Sequence, residues 1–278
     1  MDKLIITAAV TGNVPTRERT PYVPVTPKEI AQSVYESYLA GAAVAHVHAR
    51  DEAGRPTHRI DVFKEIVERI REKCDIIVQV STGARAGKTA EERGEALDLS
   101  PEMASLTTGS SNFPDQCNFN PPSLVEYLCE RMKTRGTVPE IEIFDSAMIW
   151  SGLSLIQRGL IPEPPHFNLV LGVPGSLPAT PKNLFFLYEN LPRDCTWQVS
   201  SIGAIHVPLS MIAIALGGHV RTGLEDNIYY DKGVLATNPR LVERIVDIAR
   251  AAGRDVAGPD EARRILSLRT QRAATAMS

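Results

Sequence analysis

Two histidines one residue apart, His46 and His48, end the apolar run Ala43-Val-Ala-His46-Val-His48. Alternate side chains of an extended strand point to one face, so both imidazoles project the same way, about 6–7 Å apart along the backbone. That spacing suits two ligands of one ion. Neutral imidazole binds zinc and related divalent ions, and a catalytic zinc takes three protein ligands and keeps a position open. A third ligand must come from elsewhere. The segment Arg221-Thr-Gly-Leu-Glu225-Asp226-Asn227 gathers one cation and two carboxylates. Glu142, flanked by Ile141 and Ile143, sets a carboxylate on the face opposite two apolar side chains. If that face is interior, the charge needs a partner such as Arg221 or a ligating histidine's proton.

Strand-like and helix-like runs alternate along the chain. Leu4–Thr11 is β-rich, and Thr26-Pro27-Lys-Glu29 supplies an N-cap, a first-turn proline and a capping-box glutamate for a helix ending near Gly41. The histidine strand follows, then an amphipathic helix over 63–73. Further strands are expected at 75–82, 103–109, 139–145, 166–172, 196–200 and 218–223, each followed by a helical stretch, with no strand–strand hairpin between. Eight strand–helix pairs predict parallel pairing closed into a (β/α)8 TIM barrel, a single domain over 1–269 with a small polar tail at 270–278. A doubly wound open sheet is the competitor, and no GxGxxG follows the first strand.

A barrel of this type carries its chemistry at the C-terminal ends of its strands. His46 and His48 lie at such an end. Glu225 lies beside the eighth, which closes against the first, so it is a reachable third ligand. Ser81, Ser105 and Thr107 end strands three and four and either offer hydroxyls to a substrate carboxylate or fill space. The loops 172–176 and 200–203 are expected to present backbone N–H groups to a phosphorylated co-substrate. Asp145 and His206 are rim residues that could support the site.

Thirty basic against 33 acidic residues, a net charge of −3, give no basic surface for nucleic acid. No signal-peptide pattern or membrane-length apolar run is present, and Cys74, Cys117, Cys129 and Cys195 lack CxxC spacing. A cytoplasmic protein with free thiols is the expectation.

The Thr11-Gly12 strand end, Pro24-Val-Thr26-Pro27, His46-Val-His48-Ala-Arg50-Asp51, Ser81-Thr-Gly83, Gly109-Ser-Ser-Asn-Phe113, Glu140-Ile-Glu-Ile-Phe-Asp145 and Gly217 to Asn227 together resemble the β-keto acid cleavage enzymes. Their founding activity is 3-keto-5-aminohexanoate cleavage. The resemblance implies a zinc-dependent barrel that condenses a β-keto acid with acetyl-CoA to give acetoacetate and a new acyl-CoA, in a homotetramer. It implies one Zn²⁺ per chain on His46, His48 and Glu225. It also implies Asp226 and Arg221 as the pair that abstracts a proton from acetyl-CoA, and Ser81, Glu142 and Ser105 as substrate-site positions.

One position departs from the pattern. Aminohexanoate-cleaving members carry a glutamate where this chain has Val14, and a cationic tail facing valine loses its counter-charge. An uncharged or apolar substrate tail is therefore expected. The residues alone leave three other readings: a metal-dependent aldolase or acyl-CoA lyase without acetyl-CoA as acceptor, a zinc amidohydrolase, and a binding module. The amidohydrolase pattern wants histidines ending strands five and six, where Asp145 and Gly172 stand.

Overall fold

The computed structural model describes residues 2–84, 88–113 and 116–268. Eight parallel strands form one closed barrel. They are β1 (Ile6–Ala9), β2 (Val44–Val47), β3 (Ile77–Val80), β4 (Met103–Thr107), β5 (Val138–Ile143), β6 (His166–Leu171), β7 (Thr196–Ser201) and β8 (His219–Thr222). β1 pairs with both β2 and β8, which closes the ring. The crossover helices are α1 (Pro27–Leu39), α2 (Ile60–Arg71), α3 (Ala90–Gly94), α4 (Pro122–Arg135), α5 (Ser146–Gln157), α6 (Pro181–Glu189), α7 (His206–Ala215) and α8 (Asn238–Ala251).

Local chemistry explains the boundaries. Thr26 and Glu29 close a capping box on α1 with Pro27 at its first turn, and Thr89 with Glu92 repeats the box on α3. α2 buries Phe63, Ile66, Val67 and Ile70, one stripe at helical spacing. α2 begins three residues earlier than the apolar period alone suggests.

Two features differ from the reading of the sequence. Two-stranded hairpins do interrupt the alternation, pairing 49–50 with 56–57, 111–112 with 117–118, and 229–231 with 234–235. All three lie in loops that leave the C-terminal strand ends, so they build up the mouth and leave the barrel parallel. A further helix, α9 (Pro259–Ile265), seals the opposite end. Ala262, Leu266 and Leu268 pack there on Ile5, Val44, Ile77 and Met103. The expected tail at 270–278 lies outside the described residues. Among those described, no helix is long and apolar enough to cross a membrane, and all four cysteines are free.

The barrel interior is polar. Thr7 donates to Gln198 at 2.9 Å, and Gln198 and Gln79 donate to Glu140 at 2.6 and 3.0 Å. Each bond skips a strand, so it must cross the lumen. These four residues come from β1, β3, β5 and β7, the alternate-strand layering expected of this fold, with amides and a carboxylate where branched apolar residues are usual. Glu140 is fully buried, and burial by itself raises its pKa. The hydrogen bond from His166, with Arg221 and Gln79 behind it, outweighs that and holds the carboxyl down at about 2.

The seam between β8 and β1 depends on Gly223. Its φ is +146°, and a Cβ there would fall 2.2 Å from the Ala9 carbonyl oxygen. Gly223→Ala is expected to lower the unfolding free energy by about 2–5 kcal/mol, from backbone strain plus overpacking. Denaturant titration measures this, and unchanged stability would mean that the seam can open at no cost.

Candidate active site

Each side chain at the mouth is positioned by a strand end. His46 is within β2, and His48 follows its last residue with its ring centroid 5.1 Å from that of His46. Glu225 is brought in by the turn after β8, where its N–H donates to the Ala9 carbonyl and Asn227 N–H folds back on Gly223. Gly12 makes room: a Cβ there would lie 2.5 Å from Glu225 Cγ. Asn227 pins the turn by accepting from Gly203 N–H at 2.7 Å and donating to Ser201 O at 2.9 Å.

These positions bring the three expected ligands together. One donor atom from each of His46, His48 and Glu225 falls within 4.8 Å of the others. His46 Nε2 is 3.2 Å from His48 Nε2 and 3.7 Å from Glu225 Oε2, and His48 Nε2 is 3.3 Å from Glu225 Oε1. His46 Nδ1 faces Gln79 Oε1 at 2.6 Å, which makes Nδ1 the protonated nitrogen and leaves a lone pair on Nε2. Glu225 Oε2 is buried without a hydrogen-bond partner. An orphaned carboxylate oxygen beside an imidazole lone pair fits a cation.

Arg221 is the hub of the charge network. It grips Asp226 with two bonds of 3.0 Å, donates to Glu225 Oε1 at 2.7 Å and stands 3.6 Å from Glu142 Oε1. Thr107 donates to the other Glu142 oxygen at 2.7 Å. The states of the carboxyls diverge. For Glu225 burial opposes ionisation, but Arg221 and both histidines hold its pKa well below the usual range. Burial raises Asp226 against the pull of Arg221, with Glu225 adding to the rise. Burial pushes Glu142 up to about 7, again against Arg221. Burial and the nearby Arg221 push the His46 imidazole down to about 4, so it stays neutral.

A cavity of about 530 Å³ opens over this floor. His48, Ser81, Glu142, Arg221, Glu225 and Asp226 form its charged end, and Phe113, Phe144, Val170, Val173, Ile202 and Ile228 its apolar wall. Val14 is on that lining, as expected, with Asn13 and Arg19 beside it.

Other expectations are placed differently. Ser81 lines the cavity and accepts the Gly83 N–H at 3.1 Å. Ser105 and Thr107 sit beneath the wall instead of on it. Ser105 accepts from Thr82 N–H at 3.4 Å, and the Thr107 hydroxyl is used by Glu142. In the loops after β6 and β7, expected to present backbone N–H groups, four donors are already used: Gly172 and Ser176 bond within their own turn to Leu177 and Val173, Ile202 continues the ladder to Leu171, and Gly203 is taken by the Asn227 side chain. Asp145 caps α5 by accepting from Ala147 N–H, and His206 turns Nδ1 to the Gly203 carbonyl; neither lines the cavity.

Gln79, Glu140, Arg50 and Arg93 escaped the reading of the sequence. Arg50 donates to the carbonyls of Gly12, Pro15 and Gly54, and Arg93 to Thr82, Phe119 and Asn120. The one available signal was polarity inside apolar strands, as in Val78-Gln79-Val80.

Replacing Arg221 with methionine strips the counter-charge from three buried carboxylates, and stability at pH 7 is expected to fall by about 3–5 kcal/mol. Uncompensated buried carboxyls have pKa values above those of the unfolded chain. The folded state then takes up protons first, and the deficit against wild type narrows as pH falls from 7 toward 5. Denaturant titrations across that range check this; a deficit that widens on acidification would contradict it.

Residues 3–268 match the beta-keto acid cleavage enzyme family. A 3-keto-5-aminohexanoate cleavage enzyme of Fusobacterium nucleatum is 44% identical over 272 residues, 97% of this chain and 99% of that one. A 3-oxoadipate:acetyl-CoA acetyltransferase of Cupriavidus necator is 40% identical over 269 residues, 95% of this chain and 94% of that one. The solved apo structure of ObcA superimposes with a TM-score of 0.79 at 22% identity, over 89% of this chain and 66% of that one, which bears on the fold alone. With the match running from before β1 to beyond α9, the chain belongs to the beta-keto acid cleavage enzyme family.

Proposed function

We propose that this protein cleaves a β-keto acid with acetyl-CoA as acceptor, releasing acetoacetate and a new acyl-CoA. The observation that carries the reading is the convergence of His46, His48 and Glu225 beneath a cavity whose other charged groups are Arg221, Asp226, Glu142 and, beside Val14, Arg19. Relatives at 44% and 40% identity are named for such substrates. Two imidazole nitrogens and a carboxylate favour zinc among divalent ions. Bound there, zinc supplies a Lewis acid for the oxygens of the keto acid.

Atom balance assigns the proton. For R–CO–CH₂–COO⁻ plus CH₃–CO–SCoA to give R–CO–SCoA and CH₃–CO–CH₂–COO⁻ with one carbon–carbon bond broken, the CH₂–COO⁻ unit must come from the keto acid. The proton therefore leaves the keto acid's α-carbon, which its ketone acidifies, and not the acetyl methyl that the resemblance implies. Asp226 is the base, made more basic by burial and aimed by the two-bond grip of Arg221. The carbanion attacks the thioester carbonyl and displaces the CoA thiolate. That thiolate attacks the original ketone, and the bond between this ketone carbon and the former α-carbon breaks. The acetoacetate carbanion leaves and takes up a proton. Glu142, near neutrality, can hold or return that proton at Oε1. Ser81 contacts the substrate in this reading, supported by its position on the cavity lining, with Ser105 and Thr107 behind it. The expected cytoplasmic homotetramer belongs to the same reading.

Val14 and the apolar wall favour an uncharged tail, and Arg19 at the lining adds repulsion for a cationic one. At saturating acetyl-CoA, 3-oxohexanoate is expected to exceed 3-keto-5-aminohexanoate in kcat/KM by about 2–5-fold, the equivalent of a counter-charge lost at the exposed Val14 position. Acetoacetate formation is the readout, and the reverse order would overturn the tail assignment. A lyase that needs no acceptor would turn over the keto acid with acetyl-CoA omitted.

Asp226→Asn is expected to lower kcat by about 10²–10⁴-fold, the usual contribution of a positioned base, while zinc content stays at that of wild type. Turnover retained at the wild-type rate would move the base elsewhere.

A further inference from the structure

The interior layer beneath the mouth bears on the metal centre. Gln79 lies beside His46 in the β2–β3 pairing and takes its imidazole Nδ1–H on Oε1 at 2.6 Å. Its amide nitrogen donates to Glu140 Oε2 at 3.0 Å, across the lumen from β3 to β5. Gln198 donates to the same oxygen at 2.6 Å, and Asn168 to Oε1 at 3.0 Å.

The consequence follows from donor and acceptor inventories. An ionised carboxylate only accepts, so Gln79 must turn its NH₂ toward Glu140 and its carbonyl oxygen toward His46. That oxygen only accepts as well, so the imidazole must donate from Nδ1. A neutral histidine has one N–H, so Nε2 keeps its lone pair, and Nε2 is the atom that faces His48 and Glu225. We propose that Glu140 is a positioning residue which, through the Gln79 amide, fixes His46 in the Nδ1–H tautomer that can ligate an ion. The neutral amide carries this orientation upward without setting a further negative charge against the ligands. Glu140 touches no substrate. The inference rests on the metal centre proposed above.

Four forms of the protein test it: wild type, Glu140→Gln, the exchange Gln79→Glu with Glu140→Gln, and Gln198→Met as control. Zinc affinity is read by chelator competition. The histidine tautomers are read by ¹⁵N NMR on the metal-free, histidine-labelled protein. In Glu140→Gln the new amide can accept as well as donate, so Gln79 is free to flip. Zinc binding is expected to weaken about 10–100-fold, as for loss of an orienting partner, with the Nε2–H form of His46 appearing. The exchange restores a dedicated acceptor beside Nδ1, with the amide introduced at position 140 donating to it, and should return affinity to within about threefold of wild type. Gln198→Met removes another donor from the same carboxylate, so it lowers stability but leaves affinity and tautomer unchanged.

Wild-type affinity in Glu140→Gln with His46 wholly Nδ1–H overturns the proposal. So does an equal loss in Glu140→Gln and Gln198→Met, which would mark a purely structural effect. Should Glu140→Gln not fold by near-UV circular dichroism, the folded exchange variant decides, and its failure to bind zinc is the negative result. A wild-type protein that binds no zinc would sink the metal centre instead, while the tautomer in the metal-free protein still reads the Glu140–Gln79 link.

Discussion

One guanidinium holds in place the negative charge that this barrel gathers at its mouth. Asp226, Glu225 and Glu142 converge within reach of Arg221, all in surroundings from which water is largely excluded. Like charges so close would protonate or push apart without it. Arg221 pulls on all three, but both histidines add to its pull on Glu225 alone, while burial raises Asp226 and Glu142 against it. Glu225 stays ionised, and Asp226 and Glu142 are raised toward proton exchange. Carboxyls driven apart in pKa by position are the usual mark of divided roles in a catalytic site.

Two further buried cations act on backbone. Arg50 ties the loop after β1 to that after β2, and Arg93 ties the loop after β3 to that after β4. Among the described residues neither donates to a carboxylate. Each satisfies loop carbonyls that have no ladder partner, so loops of irregular path become part of a fixed rim. Burial draws Arg93 down to about 10, opposed by Glu142, and it remains charged at neutral pH.

Most of the barrel was legible because its signals are local. The Thr26–Glu29 capping box, the stripe of Phe63, Ile66, Val67 and Ile70, and the eight apolar runs each declare an element within a dozen residues. His46 and His48 were legible for the same reason, since strand alternation alone puts them on one face. Glu225 and Arg221 could be joined to them only through the closure of β8 on β1, a global property that the count of eight supplies. The Gln79–Glu140 link was illegible. It spans 61 residues and skips a strand, and no local period marks a lumen-facing glutamine as different from any other polar residue in a strand. The hairpins at the mouth are two or three residues per strand, too short for alternation to register. Helix α9 was hidden because its apolar residues serve the barrel floor, where the partners Val44, Ile77 and Met103 come from three different strands.

The layering of the lumen explains how one scaffold can keep its chemistry while its substrates vary. The lower layer of Thr7, Gln79, Glu140 and Gln198 is closed to solvent and bonded within itself, and Gln79 reaches up from it to His46. The layer above carries His46, His48 and Arg221 at strand ends and Glu225 on the turn after β8, which the Ala9 carbonyl holds. The cavity wall beyond, with Val14, Arg19, Phe113 and Ile228, comes from loops, and no ladder ties a loop side chain's identity to the fold. A β-keto acid has the same division: a constant keto-carboxylate head and a variable tail. A loop position such as Val14 can therefore differ without disturbing the charges below.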